Sequence, residues 1–181
     1  MSTELPFDAI VALGSNIGDI RGNMARALEL LCDRGDVRVV ARSRDFKTPP
    51  WGITEQPWFA NACAGVATRL DARTLLGRCL DVERQLGRIR AEKWGPRIID
   101  LDVLVHRDGA IDEADLVLPH PRITERAFVL APLADIAPGL VLEGRTVAEW
   151  LAITDCSGVE PFAEAPRKTP VGPPSRAGLA K

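Results

Sequence analysis

The run Lys93-Trp94-Gly95-Pro96-Arg97-Ile98-Ile99-Asp100-Leu101-Asp102-Val103-Leu104-Val105 constrains the fold more than any other part of the chain. It predicts a stiff, basic loop leading straight into a β-strand. Side chains alternate across a strand, so Ile99, Leu101, Val103 and Val105 belong to one face and Asp100 and Asp102 to the other. A strand written this way needs a core under its apolar face and a charge-tolerant space over its acidic one. Gly95-Pro96 fixes the backbone at the junction, because proline locks φ and restricts the residue before it.

Carboxylates at i and i+2 stand on Cα atoms roughly 6.5–7 Å apart, at a rise of about 3.3 Å per residue. Both can reach one divalent ion, or two ions about 4 Å apart. Oxygen ligands with no His or Cys beside them favour Mg²⁺ over zinc or copper. The same pair could be a solvated face, or inward-pointing charges that protect a sheet edge. Arg88, Arg90, Lys93 and Arg97 crowd just before it, and that tilts the reading toward a metal and phosphate site. Unpaired carboxylates destabilise a fold, so replacing either Asp is expected to leave the protein folded and slightly more stable.

With 181 residues, 46% of them hydrophobic, the chain has enough apolar material for one domain with a real core. A net charge of −2 argues against a general nucleic-acid binder. No apolar run approaches the ~20 residues of a membrane span, and Met1 to Asp8 lacks the pattern of a signal peptide. Cys32, Cys63, Cys79 and Cys156 are scattered without C-x-x-C spacing. The first three are expected to be small buried hydrophobes, and the compartment a reducing cytoplasm.

Ala9 to Leu13 predicts a buried strand ended by Gly14-Ser15-Asn16. Asp19 caps a helix carrying Met24, Leu28 and Leu31, and Gly35-Asp36 breaks it. Val37 to Val40 predicts a second strand, ending near Thr48-Pro49-Pro50, and Phe59 to Leu70 a third. Asp71 caps a second helix with Leu75, Leu76, Cys79, Leu80, Val82 and Leu86 on its apolar side. The acidic strand comes next, with Arg107-Asp108-Gly109 turning it into a hairpin with Ala110-Ile111. The order β-α-β-β-α-β implies an α+β fold of the ferredoxin-like kind, an antiparallel sheet with helices on one face. Further helices are expected over Ile123 to Leu133 and from a capping box at Thr146-Val147-Ala148-Glu149. The domain is expected to span residues 1–156. Residues 157–181, rich in Pro and Gly, are expected to form a disordered tail.

The segment Trp94 to Asp102 resembles the signature of the 6-hydroxymethyl-7,8-dihydropterin pyrophosphokinases of folate biosynthesis. The likeness runs from about Ile10 to Leu151. Its other landmarks are Gly14-Ser15-Asn16, Thr48-Pro49-Pro50-Trp51-Gly52, Gln56-Pro57-Trp58-Phe59-Ala60-Asn61-Ala62 and Pro119-His120-Pro121-Arg122 followed by Glu125-Arg126-Ala127-Phe128. Each alone is weak; together, in order, they are specific. The resemblance implies transfer of the terminal pyrophosphate of ATP to the pterin hydroxymethyl oxygen, with release of AMP.

By the same resemblance, Asp100 and Asp102 hold two Mg²⁺ ions, and Arg88 and Arg90 close over the reacting phosphates as catalytic residues. Guanidinium forks grip phosphate in a way that lysine does not. Glu83, Trp94, Arg97, Val103, His120 and Arg126 match ATP-contacting positions. Phe59 and Phe128 match a pair that stacks on the pterin, with Thr48, Pro49, Trp51 and Asn61 completing that side. Gly14-Ser15-Asn16 lacks the G-x-x-x-x-G-K-[ST] pattern and is read as a turn bracing the pterin pocket. Departures include Phe59, where some relatives carry Tyr, the bulky Trp51, and Lys93 in place of Arg. The implied partners are ATP and a dihydropterin, with no nucleic acid, no membrane and a monomeric state. The rival readings are a ferredoxin-like nucleic-acid module, which lacks its aromatic strand motif here, and a two-metal phosphodiesterase, which has no use for the pterin landmarks.

Overall fold

The computed structural model describes residues 5–50, 54–88 and 96–163. Its centre is an antiparallel sheet built on β1 (Ala9–Ser15), whose neighbours are β4 (Phe59–Thr68) and β5 (Asp100–His106). On its other edge β4 pairs with both β2 (Val37–Arg42) and β3 (Phe46–Thr48), so those two share one lane of the sheet. Helices α1 (Ile20–Cys32) and α2 (Ala72–Gln85) start where sequence predicts. The Asp19 carboxylate accepts from Gly22 N at 3.0 Å and the Asp71 carboxylate from Thr74 N at 2.7 Å.

Strand alternation sorts the core into two layers. Ala9, Val11 and Leu13 of β1 join Ile99, Leu101 and Val103 beneath Met24, Leu31, Leu75 and Val82 of the two helices. Ile10, Cys63 and Leu104 point the other way, against Val129, Leu130 and Leu133 of α3 (Ala127–Ile136), which α4 (Val147–Ile153) backs. The sheet is therefore covered on both faces, not on one. Val105 departs from the simple alternation: the register slips between Ile10 and Val11, so Val105 packs with Leu104 on the α3 side. A bulge inserts one residue and flips the side chains beyond it.

Other boundaries also move. Strand β1 runs through Gly14 to Ser15 instead of stopping before them. The turn at Gly109 forms, with Gly109 N donating to His106 O at 3.0 Å. The strand after it, β6 (Ile111–Glu113), nevertheless pairs with β7 (Leu116–Leu118) and not with β5. Helix α3 begins at Ala127, because residues 121–125 are spent in turns that close back on His120. The capping box at Thr146 and Glu149 opens α4 as expected, after the small ribbon β8 (Val141–Leu142) and β9 (Arg145–Thr146). Both deeply buried thiols, Cys63 and Cys79, have pKa values raised by burial, as inert hydrophobes should.

The start of the expected tail needs correction. Residues 157–163 are tied to the sheet: β10 (Glu160–Pro161) pairs with β3, Phe162 N donates to Asp45 O at 2.8 Å, and the Phe162 ring packs against the helix-side core. One aromatic side chain reaching the core is enough to order a polar segment that composition alone assigns to disorder. Residues 164–181 lie outside the described part. A chain ending at Cys156 should be less stable than one ending at Ala163 by about 1–3 kcal/mol, measurable as a lower urea midpoint; equal midpoints would show that β10 contributes nothing.

Candidate active site

The α3 side of the sheet is covered only where α3 lies. Beyond it the same face is open, and there the alternating side chains of three neighbouring strands form the floor of a cleft. Register sets who stands beside whom. Gly14 faces Asn61 across β4 and Asp100 across β5; Ala12 faces Cys63 and Asp102. Strands lie about 4.8 Å apart, so Asn61 and Asp100 are separated by roughly 10 Å of floor. The middle lane has to be small. A Cβ on Gly14 would sit 2.9 Å from Asn61 Oδ1, which explains why this glycine lies inside a strand.

Arg97, Asp100, Asp102 and Arg126 line one end of the cleft, and Thr48, Pro49, Phe59, Asn61 and Phe128 line the other. The Asn61 amide donates to the buried Thr48 hydroxyl at 2.7 Å, and the Arg126 guanidinium lies 5.6 Å from the Phe128 ring centre. Arg126 is the residue at the N-terminal cap of α3, so the late start of that helix is what delivers its side chain here. Trp51, Arg90, Lys93 and Trp94 lie outside the described residues.

Four of the expected residues do not line the cleft. Val103 points into the helix-side core, 4% exposed, so its side chain cannot meet a nucleotide. Glu83 is 2% exposed; its Oε1 accepts from Leu101 N at 2.8 Å and pairs with Arg88. It fastens α2 to the edge strand β5. Arg88 is led back by the end of α2, where Gly87, at φ +84°, allows Gly87 N and Arg88 N to bond Arg84 O and Glu83 O, each at 3.0 Å. Its guanidinium pairs with Asp100. His120 is tied to β5 through its N–H to Leu104 O at 2.8 Å, and its Nδ1 accepts from Arg122 N at 3.2 Å. Burial, then Arg126, holds its pKa below the ordinary value. The ring is therefore neutral at pH 7, with its proton on Nε2.

The residue not expected among the site residues is Asn16. Buried, it bonds Gln56 Oε1 (3.0 Å) and Pro57 O (3.1 Å) through Nδ2, while its Oδ1 accepts from Arg97 N at 2.8 Å. Both ends of the cleft thus hang on one amide. The sequence signal was an Asn at a strand end with no helix to cap.

The two carboxylates differ sharply. Arg97 Nη1 donates to Asp100 Oδ2 at 2.5 Å, and Arg88 takes Oδ1. Burial raises the Asp100 pKa, but Arg97 and Arg88 outweigh it and hold the carboxyl below its usual range. Asp102 has no hydrogen-bond or ion-pair partner among the described residues. Burial, followed by the charges of Asp100 and Glu83, pushes it up to about 7. Only Asp102, then, fits the expectation that removing a carboxylate stabilises the protein. A raised pKa in the folded state favours folding below the unfolded value, and that gain is lost as pH rises toward 7. Asp102→Asn should accordingly be more stable than the parent at pH 8 in chelating buffer, by ~1–2 kcal/mol, with the gap narrowing as pH falls through 7 and closing only below about pH 4. Asp100→Asn should lose about 2 kcal/mol, since it leaves Arg88 and Arg97 facing each other. Equal effects from the two substitutions would contradict this asymmetry.

Comparison with known proteins agrees with the cleft. Residues 10–138 match the sequence model of the 7,8-dihydro-6-hydroxymethylpterin-pyrophosphokinase family. The 2-amino-4-hydroxy-6-hydroxymethyldihydropteridine pyrophosphokinase of Methylorubrum extorquens is 52% identical over 152 residues, 84% of this chain and 96% of that protein. The mitochondrial folate synthesis bifunctional protein of Arabidopsis thaliana is 40% identical over 143 residues, 79% of this chain and 26% of the plant protein. In fold, the chain is similar to the crystal structure of an HPPK-DHPS in complex with substrates, with a TM-score of 0.65 at 12% identity. That alignment covers 80% of this chain and 42% of the other. Neither a nucleic-acid module nor a phosphodiesterase accounts for these matches. The chain belongs to the 7,8-dihydro-6-hydroxymethylpterin pyrophosphokinase family, and its activity is pyrophosphate transfer to hydroxymethyldihydropterin in folate biosynthesis.

Proposed function

We propose that the two ends of the cleft divide the substrates between them. The observation that carries this reading is one row of the sheet, Asp100–Gly14–Asn61, which joins an acidic end flanked by arginines to an aromatic and amide end. A flat, polar pterin suits Phe59 and Phe128 on its faces, with the Asn61 amide and Thr48 at its edge. ATP phosphates suit Arg97 and Arg126, with Arg88 and Arg90 as further donors. Trp94 belongs on the ATP side and Trp51 on the pterin side, by position in the sequence.

Asp100 and Asp102 would hold Mg²⁺, two ions in this reading. The fit rests on chemistry seen in the cleft: a half-buried carboxylate without a side-chain partner among the described residues, beside a second one, is an excess of negative charge that a dication would relieve. Among the described residues no group of three or more His, Cys, Asp or Glu could hold a metal, so phosphate oxygens would complete the shell, as is usual for Mg²⁺. Bound there, the metal supplies charge neutralisation on the phosphates and acidifies the pterin alcohol. Arg88 must release Asp100 when that happens, and the guanidinium then faces the phosphates. Glu83, bonded to the backbone of Leu101, keeps β5 in place while Arg88 moves. His120, neutral, can donate from Nε2 without adding charge.

Five strands fill four lanes of the sheet in the order β5, β1, β4, then β2 with β3, which supports a ferredoxin-like reading. No helix among the described residues is long and apolar enough to cross a membrane. Together with four unbridged cysteines, this is compatible with a monomer working in a reducing cytoplasm. Residues 164–181 are read as a dispensable tail on composition alone.

The test is the nucleotide product. Incubation with Mg-ATP and 6-hydroxymethyl-7,8-dihydropterin should yield AMP and a pterin diphosphate; ADP would mean ordinary phosphoryl transfer and would refute the reading. Arg90→Ala should slow the chemical step by roughly 10²-fold, as loss of a donor aimed at transition-state charge does. Equilibrium binding of a non-reactive ATP analogue should change much less. A matching loss of binding would make Arg90 a ground-state anchor.

A further inference from the structure

We propose that residues 157–163 position the pterin end of the cleft and so set the affinity for dihydropterin, without touching the substrate. The inference rests on the assignment of the pterin end made above. Strand β3 is only Phe46–Thr48, yet it ends in Thr48, which holds the Asn61 amide at 2.7 Å. One edge of β3 pairs with β4. The other is closed by β10, with Glu160 opposite Lys47 and Pro161 opposite Phe46.

Phe162 secures the residue just before β3. Its N–H donates to Asp45 O at 2.8 Å, and its ring lies 5.6 Å from the Arg21 guanidinium. Arg21 in turn bonds the buried Asp45 carboxylate at 2.7 Å, which also holds Arg42 at 2.7 Å. At the other end of the segment, Gly158, at φ +78°, comes so close that a Cβ there would lie 3.3 Å from Pro49 Cδ and 3.9 Å from Trp58 Cη2. Residues 157–163 therefore touch β3 and both flanks of the connection from Pro49 to Trp58. None of these contacts reaches Arg97, Asp100 or Asp102 among the described residues.

A three-residue strand paired on one side only frays readily. When the arrangement competent to bind is populated for a fraction of the time, the apparent dissociation constant rises by the inverse of that fraction. Loosening the segment should weaken pterin binding and spare ATP.

The experiment measures KM for 6-hydroxymethyl-7,8-dihydropterin, kcat, and the Kd of a non-reactive ATP analogue in the full chain. Phe162→Ala and Gly158→Ala should each raise the pterin KM by about 5–20-fold through lost pre-organisation, with kcat and analogue affinity within about twofold. Phe162→Leu, which keeps an apolar side chain, should restore most of the loss. Should Phe162→Ala fail to fold, Gly158→Ala, which strains the backbone of this segment at φ +78° and presses a methyl on Pro49 and Trp58, decides the matter. A pterin KM within twofold of the parent overturns the proposal. So does an equal fall in analogue affinity, which would mark general loosening. Asn61→Ala is the control: if it also leaves the pterin KM unchanged, the assignment of the pterin end is wrong. If Asn61→Ala raises KM and the other variants do not, only the role of residues 157–163 is lost.

Discussion

Two carboxylates on one strand face share too little positive charge, and much of the molecule is arranged around that imbalance. Asp100 takes both Arg88 and Arg97. Asp102, two residues on and just as confined, feels burial and the charges of Asp100 and Glu83 more than those of Arg126 and Arg88, and its pKa is pushed up to about 7. Surface carboxylates would settle such a conflict with water. In a cleft they cannot, because desolvation favours the protonated form and opposes each added charge. The result is a cleft that carries a poorly compensated negative charge at Asp102.

The cleft exists because α3 is shorter than the sheet it covers. Leu104 and Ile10 lie under the helix, whereas Asp102, Ala12, Asp100 and Gly14, further along the same strands, do not. One pleated face thus serves as core at one end and as active-site floor at the other. The opposite face, packed on α1 and α2, is largely apolar, so strands β1, β4 and β5 are fixed from below. Small residues in the middle lane keep the floor low, and Asn16 ties the loops at both ends to each other. Precision at the site comes from these strands and from a buried amide, not from the loops it holds.

Glu83 and Val103 show how position in a motif can mislead. Both stand close in sequence or space to residues that line the cleft, and both face the protein. Val103 is turned inward by the two-residue period of its strand. Glu83 is turned inward by the helical period of α2, which sets it beneath the unpaired N–H of Leu101 on the sheet edge. A carboxylate bonded there satisfies a donor that no neighbouring strand reaches.

The elements whose signal is local were determined by the sequence alone. The caps at Asp19, Asp71 and Thr146 formed as written, because a side-chain oxygen bonding a backbone N–H three residues on needs nothing from the rest of the chain. The shared face of Asp100 and Asp102 came from strand alternation, and Arg97 stands beside it in the cleft as its place in the sequence implied. The tertiary structure decided what depends on partners far along the chain. The slip between Ile10 and Val11 redirected Val105. A second ribbon took β6 from β5, and Phe162 found the core and brought its polar neighbours into the sheet. The unequal standing of Asp100 and Asp102 belongs to this second kind as well. Two identical side chains on the same face of one strand carry no difference in sequence; Arg97 and Arg88 bonding Asp100 and not Asp102 create it.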